Sequence, residues 1–256
     1  MLQGRFLEEV LQRDRAVTIA GIAGVAALAW AYILYLASDM GRMMIPLTES
    51  WSPGDFIFQY GMWSVMMVAM MVPSAAPMVL MFAAVNRRRR ERQQPFVPTS
   101  VFLMGYVAVW SGFALAATLA QWGFHSAALL SPMMESTSAY FGAALVMGAG
   151  LFQFTPLKRA CLTQCRTPLG FIMTEWRPGG LGAVTMGVRH GAFCVGCCWV
   201  LMALLFVTGV MSLLWVAVIA GFILLEKVAP AGLRLSRLSG LTLVGFGLAI
   251  LASAVV

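Results

Sequence analysis

Charge is the scarcest property of this sequence. Only 11% of its 256 residues are Asp, Glu, Lys or Arg, against roughly 25% in soluble domains. That deficit excludes an ordinary water-soluble enzyme or a nucleic-acid module built on a charged face. Acidic side chains are the rarer sign, ten in all, and they are nearly absent from the apolar runs. A proton-coupled pump normally carries an ionisable group deep in its apolar interior, so that class is disfavoured. Glu226 adjoins Lys227 at the end of an apolar run and reads as an interface pair, while Asp55 and Glu135 read as water-facing residues of outer segments. Also missing are a phosphate-binding P-loop, a nucleophile elbow, a metalloprotease helix and a complete dinucleotide glycine fingerprint. An ATP-driven pump on this chain alone is thereby excluded, and nothing marks the chain as an enzyme. The longest polar segments, about 38–60 and 158–182, are too short to bury a core.

In place of charge the chain has apolar runs. Hydrophobic residues make up 61% of the sequence, and they concentrate at about 16–37, 61–85, 100–122, 139–157, 183–209, 211–228 and 239–256. Each run is long enough to cross a hydrocarbon layer of about 30 Å as a helix. The expected fold class is therefore all-α, a polytopic transmembrane helix bundle of about seven spans forming one transmembrane domain over 1–256. The net charge of +7 reflects topology: of 17 Lys and Arg, all but Arg42 fall in alternate connecting segments, most densely at Arg87 to Arg90 with Arg92. By the positive-inside rule the N-terminus is cytoplasmic and the C-terminus lies outside. The run NRRRRERQQP is read as a topology anchor that touches anionic lipid, making the bilayer the partner and nucleic acid not. The first apolar run is too long for a signal-peptide core and reads as a retained anchor.

Local patterns add detail. Pro73 and Pro77 interrupt the second run, where proline removes a backbone donor; neighbouring helices and Ser74 satisfy the freed carbonyls, or a broken helix lines a site. After Phe154, LKRACLTQCR alternates basic and apolar residues at helical spacing and stops before Pro168, as a short interfacial helix would. Gly187 and Gly191, four apart, permit close helix approach.

Chemistry concentrates in RHGAFCVGCCW. His190, Cys194, Cys197 and Cys198 stand at i, i+4, i+7 and i+8, so one helical stripe presents an imidazole and three thiols, with Gly191 and Gly196 leaving room beside it. Cys161 and Cys165 form a further i, i+4 pair. All five cysteines fall on the cytoplasmic side or mid-membrane, where thiols stay reduced, which favours ligands or packing over disulfides. Met66, Met67, Met70 and Met71 form MMVAMM at a depth similar to Cys197 and add thioethers. Thiolates and thioethers suit Cu(I), and thiolates with imidazole also suit Zn(II). The opposing reading is packing, since buried Cys and Met fill cores readily; it is the default for the methionines, whereas four ligand-type residues in nine positions favour a metal or thiol role for the stripe. His125, at the outer end of the third run, reads as an interfacial hydrogen-bonding residue.

The segments MWSVMMVAMMVPSAAPM, FQFTPLKRACLTQCRTPLGF and GVRHGAFCVGCCWVLM, the last running into LLFVTGVMSLLWVAVIAGFILLEK, resemble a bacterial family of predicted metal-binding integral membrane proteins, a domain of unknown function. The resemblance covers about residues 57–228. It implies a multi-helix bundle in the bacterial inner membrane and a metal site carried by Cys161, Cys165, His190, Cys194, Cys197 and Cys198. The expected function is to bind, and to transport or deliver, a thiophilic ion such as Cu(I), with Cys161 and Cys165 as a cytoplasmic acceptor or exit pair and a metal-delivery or membrane-protein partner. A membrane thiol redox protein and a non-catalytic subunit of a larger membrane complex are the competing expectations.

Overall fold

The computed structural model describes residues 2–38, 51–131, 137–210 and 212–255, with side chains from residue 15 onward. Arg42 and Glu135 lie outside the described residues. The regular elements described are helices: α1 (Leu2–Ser38), α2 (Pro53–Ser74), α3 (Ala76–Glu91), α4 (Thr99–Ser126), α5 (Ala139–Phe152), α6 (Pro156–Arg166), α7 (Pro168–Glu175), α8 (Gly179–Ala203), α9 (Leu205–Thr208), α10 (Leu213–Val228) and α11 (Gly232–Val255). Five stretches are long and apolar enough to cross a membrane: 15–38, 53–74, 99–126, 179–208 and 232–254.

Proline and capping residues set most boundaries. Ser52 and Asp55 form a reciprocal capping box, with Pro53 in the first turn, so α2 starts eight residues before the expected 61. The second apolar run is two helices. Pro73 and Pro77 each lack an amide hydrogen, the helical ladder lapses at Ala75, and α3 restarts at Ala76. The run expected at 139–157 likewise divides: Thr155 caps a new helix whose first turn holds Pro156, and α5 meets α6 at a bend of 63°. At 16 residues, α10 extends about 24 Å, short of a full hydrocarbon layer.

Glycines let the helix axes approach. A Cβ at Gly187 would strike the Phe102 carbonyl oxygen and one at Gly105 the Val184 carbonyl, so α4 and α8 touch backbone to backbone. Gly150 on α5 meets Gly240 on α11 in the same way. The close approach expected of Gly187 and Gly191 is thus a contact with α4, at Phe102, Tyr106 and Val109. On its other side α8 carries α6, where a Cβ at Gly196 would lie 2.7 Å from Cys161 Sγ. Helices α2 and α10 close the remaining flanks of this core.

Candidate metal centre

The thiol stripe points inward. Cys194, Cys197 and Cys198 are all buried, as is His190 one turn before them. Helix α6 is amphipathic as its spacing predicts, and its inner face carries Lys158, Cys161, Leu162 and Cys165 into the same core. All five cysteines are free thiols. Cys165 interacts with the thiols of Cys194 and Cys197, Cys194 with those of Cys197 and Cys198, and Cys161 lies near Cys197. Sulfurs from two helices therefore face one buried core, with Cys165 beside the thiols of α8.

The break in the second run supplies a third wall. Met71 and Ser74 sit in the last turn of α2, and Met71 Sδ stands 4.0 Å from Cys198 Sγ and 3.9 Å from Ser74 Oγ. Ser74 donates to the Met71 carbonyl at 2.9 Å, and Tyr106 of α4 donates to the same oxygen at 3.0 Å. Tyr106 Oη also lies 3.1 Å from Cys194 Sγ. The interrupted helix therefore lines the thiol cluster. Met66, Met67 and Met70 are buried in the apolar core; among these four methionines, Met71 is the one that meets a thiol.

A cation completes the cluster. Lys227 of α10 donates to Cys194 Sγ at 2.9 Å and to Ser74 Oγ at 2.8 Å. This overturns the expected Glu226–Lys227 pair: neighbours in a helix sequence point about 100° apart and cannot face each other. Glu226 pairs instead with Lys158, Nζ to Oε2 at 2.7 Å, with both side chains 1% exposed. Arg166 holds the Glu226 carbonyl, and also reaches the Pro230 carbonyl at 3.1 Å. Ionisable groups are thus built into the apolar interior, contrary to the sequence expectation. Tyr106 escaped the sequence reading because a tyrosine is not unusual in a helix; Ser74 is expected there only as a partner for carbonyls at the proline break, and its bond from Lys227 is the added finding. Lys158, Glu226 and Lys227 did carry a signal, since charges beside long apolar runs have to find partners.

His190 is enclosed by rings, with Phe171, Tyr106 and Phe102 centroids 5.4, 5.8 and 6.1 Å from its own. Its Nδ1 is buried without a hydrogen-bond partner. His125, by contrast, packs its ring 6.0 Å from Trp51.

The donor set fits a soft ion. Thiols and a thioether face one another in a dry interior, and an imidazole nitrogen with an unused lone pair or proton stands one helical turn away. Among the described residues, no group of three or more His, Cys, Asp or Glu side chains is arranged to hold an ion jointly. Cys197 and Cys198 instead donate to the Cys194 carbonyl, at 3.1 and 2.9 Å. An incoming ion is therefore taken by few donors at once, or by thiols that leave these backbone bonds. No curated protein and no solved structure matches the chain. A family model described as copper chaperone matches residues 60–250, which contain the broken helix, the paired cysteines of α6, the thiol stripe and Lys227. On that match the chain belongs to the PpoB2 copper chaperone family.

Proposed function

We propose that this protein is an integral membrane copper chaperone that takes Cu(I) as cargo at the meeting of α2, α6 and α8 and hands it on to a metal-delivery partner. The observation that carries this reading is the buried sulfur group at α2, α6 and α8, where Cys165 neighbours Cys194 and Cys197, and Met71 Sδ stands 4.0 Å from Cys198 Sγ. Cys194 and Cys198 are the primary ligands, Cys165 and Cys197 exchange ligands, and Met71 a neutral auxiliary donor. His190 and Cys161 flank the centre, and Met66, Met67 and Met70 line the α2 side of its approach. Cu(I) suits this donor set because soft, polarisable sulfur stabilises it and low coordination numbers content it, whereas Zn(II) favours four donors in a tetrahedron.

The membrane setting is part of the proposal. Five long apolar helices support it, and about seven spans result when the bent α5–α6 pair and α10 also cross. The Lys and Arg distribution then gives a cytoplasmic N-terminus and an outer C-terminus in the bacterial inner membrane. Moving the ion across the bilayer, as distinct from presenting it, is the further step of this reading.

The test is a Cu(I) titration of the purified full-length protein in detergent against a competing chromogenic chelator, beside a Cys194→Ser, Cys198→Ser double variant. Wild type withholds Cu(I) from the chelator and the variant does not. Equal retention by both, or none by either, sinks the proposal. A mobility shift on thiol labelling that follows redox state and survives chelation favours the redox alternative.

A further inference from the structure

Lys227 is an awkward resident for a cation-binding centre. With Lys158 it is one of two buried lysines among the described residues, and it donates directly to Cys194, a sulfur proposed above as a primary ligand. Its second bond, to Ser74, fixes it against the broken end of α2, because Ser74 is itself anchored on the Met71 carbonyl. Simple repulsion would make such a lysine a handicap. The balance of charge in a dry site gives it another use.

Close by, Lys158 and Glu226 cancel as a buried pair, Arg166 keeps its charge at a partly exposed position against the Glu226 and Pro230 carbonyls, and Tyr106 and Ser74 enter as hydroxyls. The ammonium of Lys227, against Cys194 Sγ at 2.9 Å, is the buried charge in direct contact with the thiols. When a monovalent ion replaces two thiol protons, Cu⁺ + 2 RSH gives [Cu(SR)₂]⁻ + 2 H⁺, and the protons leave for solvent. That complex carries one negative charge, and Lys227 brings the site to zero. The same two thiolates around a divalent ion are neutral, and Lys227 leaves the site at +1. Uncompensated charge away from water is costly, so the lysine favours the monovalent ion.

We infer that Lys227 is the charge selector of the thiol centre, a specificity-determining residue that makes two-thiolate binding of Cu(I) preferred over Zn(II). The inference rests on the copper-binding reading above. Its geometry agrees: among the described residues no group of three or more His, Cys, Asp or Glu side chains is gathered for a divalent ion. Selection by charge differs from selection by softness, because softness belongs to the sulfurs and is untouched when Lys227 is replaced.

The experiment compares full-length wild type, Lys227→Leu and Lys227→Arg in detergent, measuring Cu(I) and Zn(II) affinities separately with metal-buffered competitors. Leucine loses the charge and brings no sulfur donor of its own; arginine keeps the charge. The expected result is that the Cu(I)-over-Zn(II) affinity ratio falls about tenfold or more in Lys227→Leu and holds in Lys227→Arg. An unchanged ratio in Lys227→Leu, or an equal fall in both variants, overturns the inference. Should Lys227→Leu fail to fold, X-ray absorption of Cu(I) bound to the Met71→Leu protein decides: two sulfurs around copper support charge balance, and three contradict it. If wild type binds no Cu(I), the proposed function falls; if it binds Cu(I) and the ratio ignores Lys227, only the selector is lost.

Discussion

At the scale of single residues, the centre is a closed loop of short contacts. Lys227 donates to Cys194 and Ser74, Ser74 donates to the Met71 carbonyl, and Tyr106 spans that carbonyl and Cys194. Its members come from four helices, with Met71 and Ser74 sharing the last turn of α2, so removing one loosens the others unequally. Tyr106→Phe deletes one buried hydroxyl while leaving the Met71 carbonyl its bonds from Ala75 and Ser74. A stability loss of about 1 kcal/mol is expected, read as a lowered thermal midpoint in detergent, with Cu(I) still bound. Loss of Cu(I) binding in a folded Tyr106→Phe protein would mean that the phenol is itself part of the ligand set. Residue by residue, the sequence marked the sulfurs well because cysteines are few and their spacing on a helix is readable. It did not mark Tyr106, and it marked Ser74 only as a partner for carbonyls at the proline break, because a hydroxyl becomes part of a site only through what it faces.

Two helix-to-helix joints decide whether the sulfurs meet. The first is the Lys158–Glu226 pair between α6 and α10, with both side chains 1% exposed. Glu226→Leu alone leaves a buried ammonium without its partner and is expected to cost about 3–5 kcal/mol, whereas Lys158→Met with Glu226→Leu recovers most of that loss. Denaturation of the two variants side by side checks it, and an additive loss in the double variant would show that the pair is not coupled. The second joint is the α4–α8 contact. A methyl group at Gly187 runs into the backbone oxygen of Phe102, and Gly187→Ala is expected to cost about 1–3 kcal/mol through forced separation of the helices. Because Tyr106 rides on α4 and Cys194 on α8, their 3.1 Å contact should open as well. Weaker Cu(I) retention in Gly187→Ala, with no ligand touched, is the measurable consequence. Helix α6 also shows how far spacing reaches: the amphipathic pattern gave its length and its inner face, while its partner had to be seen.

For the whole molecule, binding and stability are linked. An ion held only by the folded state stabilises it, by about 2.7 kcal/mol when free ion stands at a hundred times the dissociation constant. The full-length protein should therefore unfold at higher temperature with buffered Cu(I), and the Cys194→Ser, Cys198→Ser variant should not. Topology has its own measurement. Reporter fusions after residue 94 and after the C-terminus should report the cytoplasm and the outside respectively; two fusions on one side would refute the odd number of crossings. The five long apolar helices make a membrane the natural solvent, but the divided second and fourth runs change what lies inside. A straight seven-helix reading places Pro73 in mid-span and Thr155 near the end of a span, whereas α2 ends just after Pro73 and Thr155 caps α6 beside the thiol core.

Sequence alone determined the helical class, the stop of α6 before Pro168 and the sulfur stripe on α8, because periodicity and proline geometry act over a few residues. Tertiary structure decided which sulfurs come together, that Glu226 answers Lys158, and that Lys227 turns to Cys194. Those outcomes depend on contacts between residues tens of positions apart, across glycine-lined helix faces whose approach no local pattern encodes.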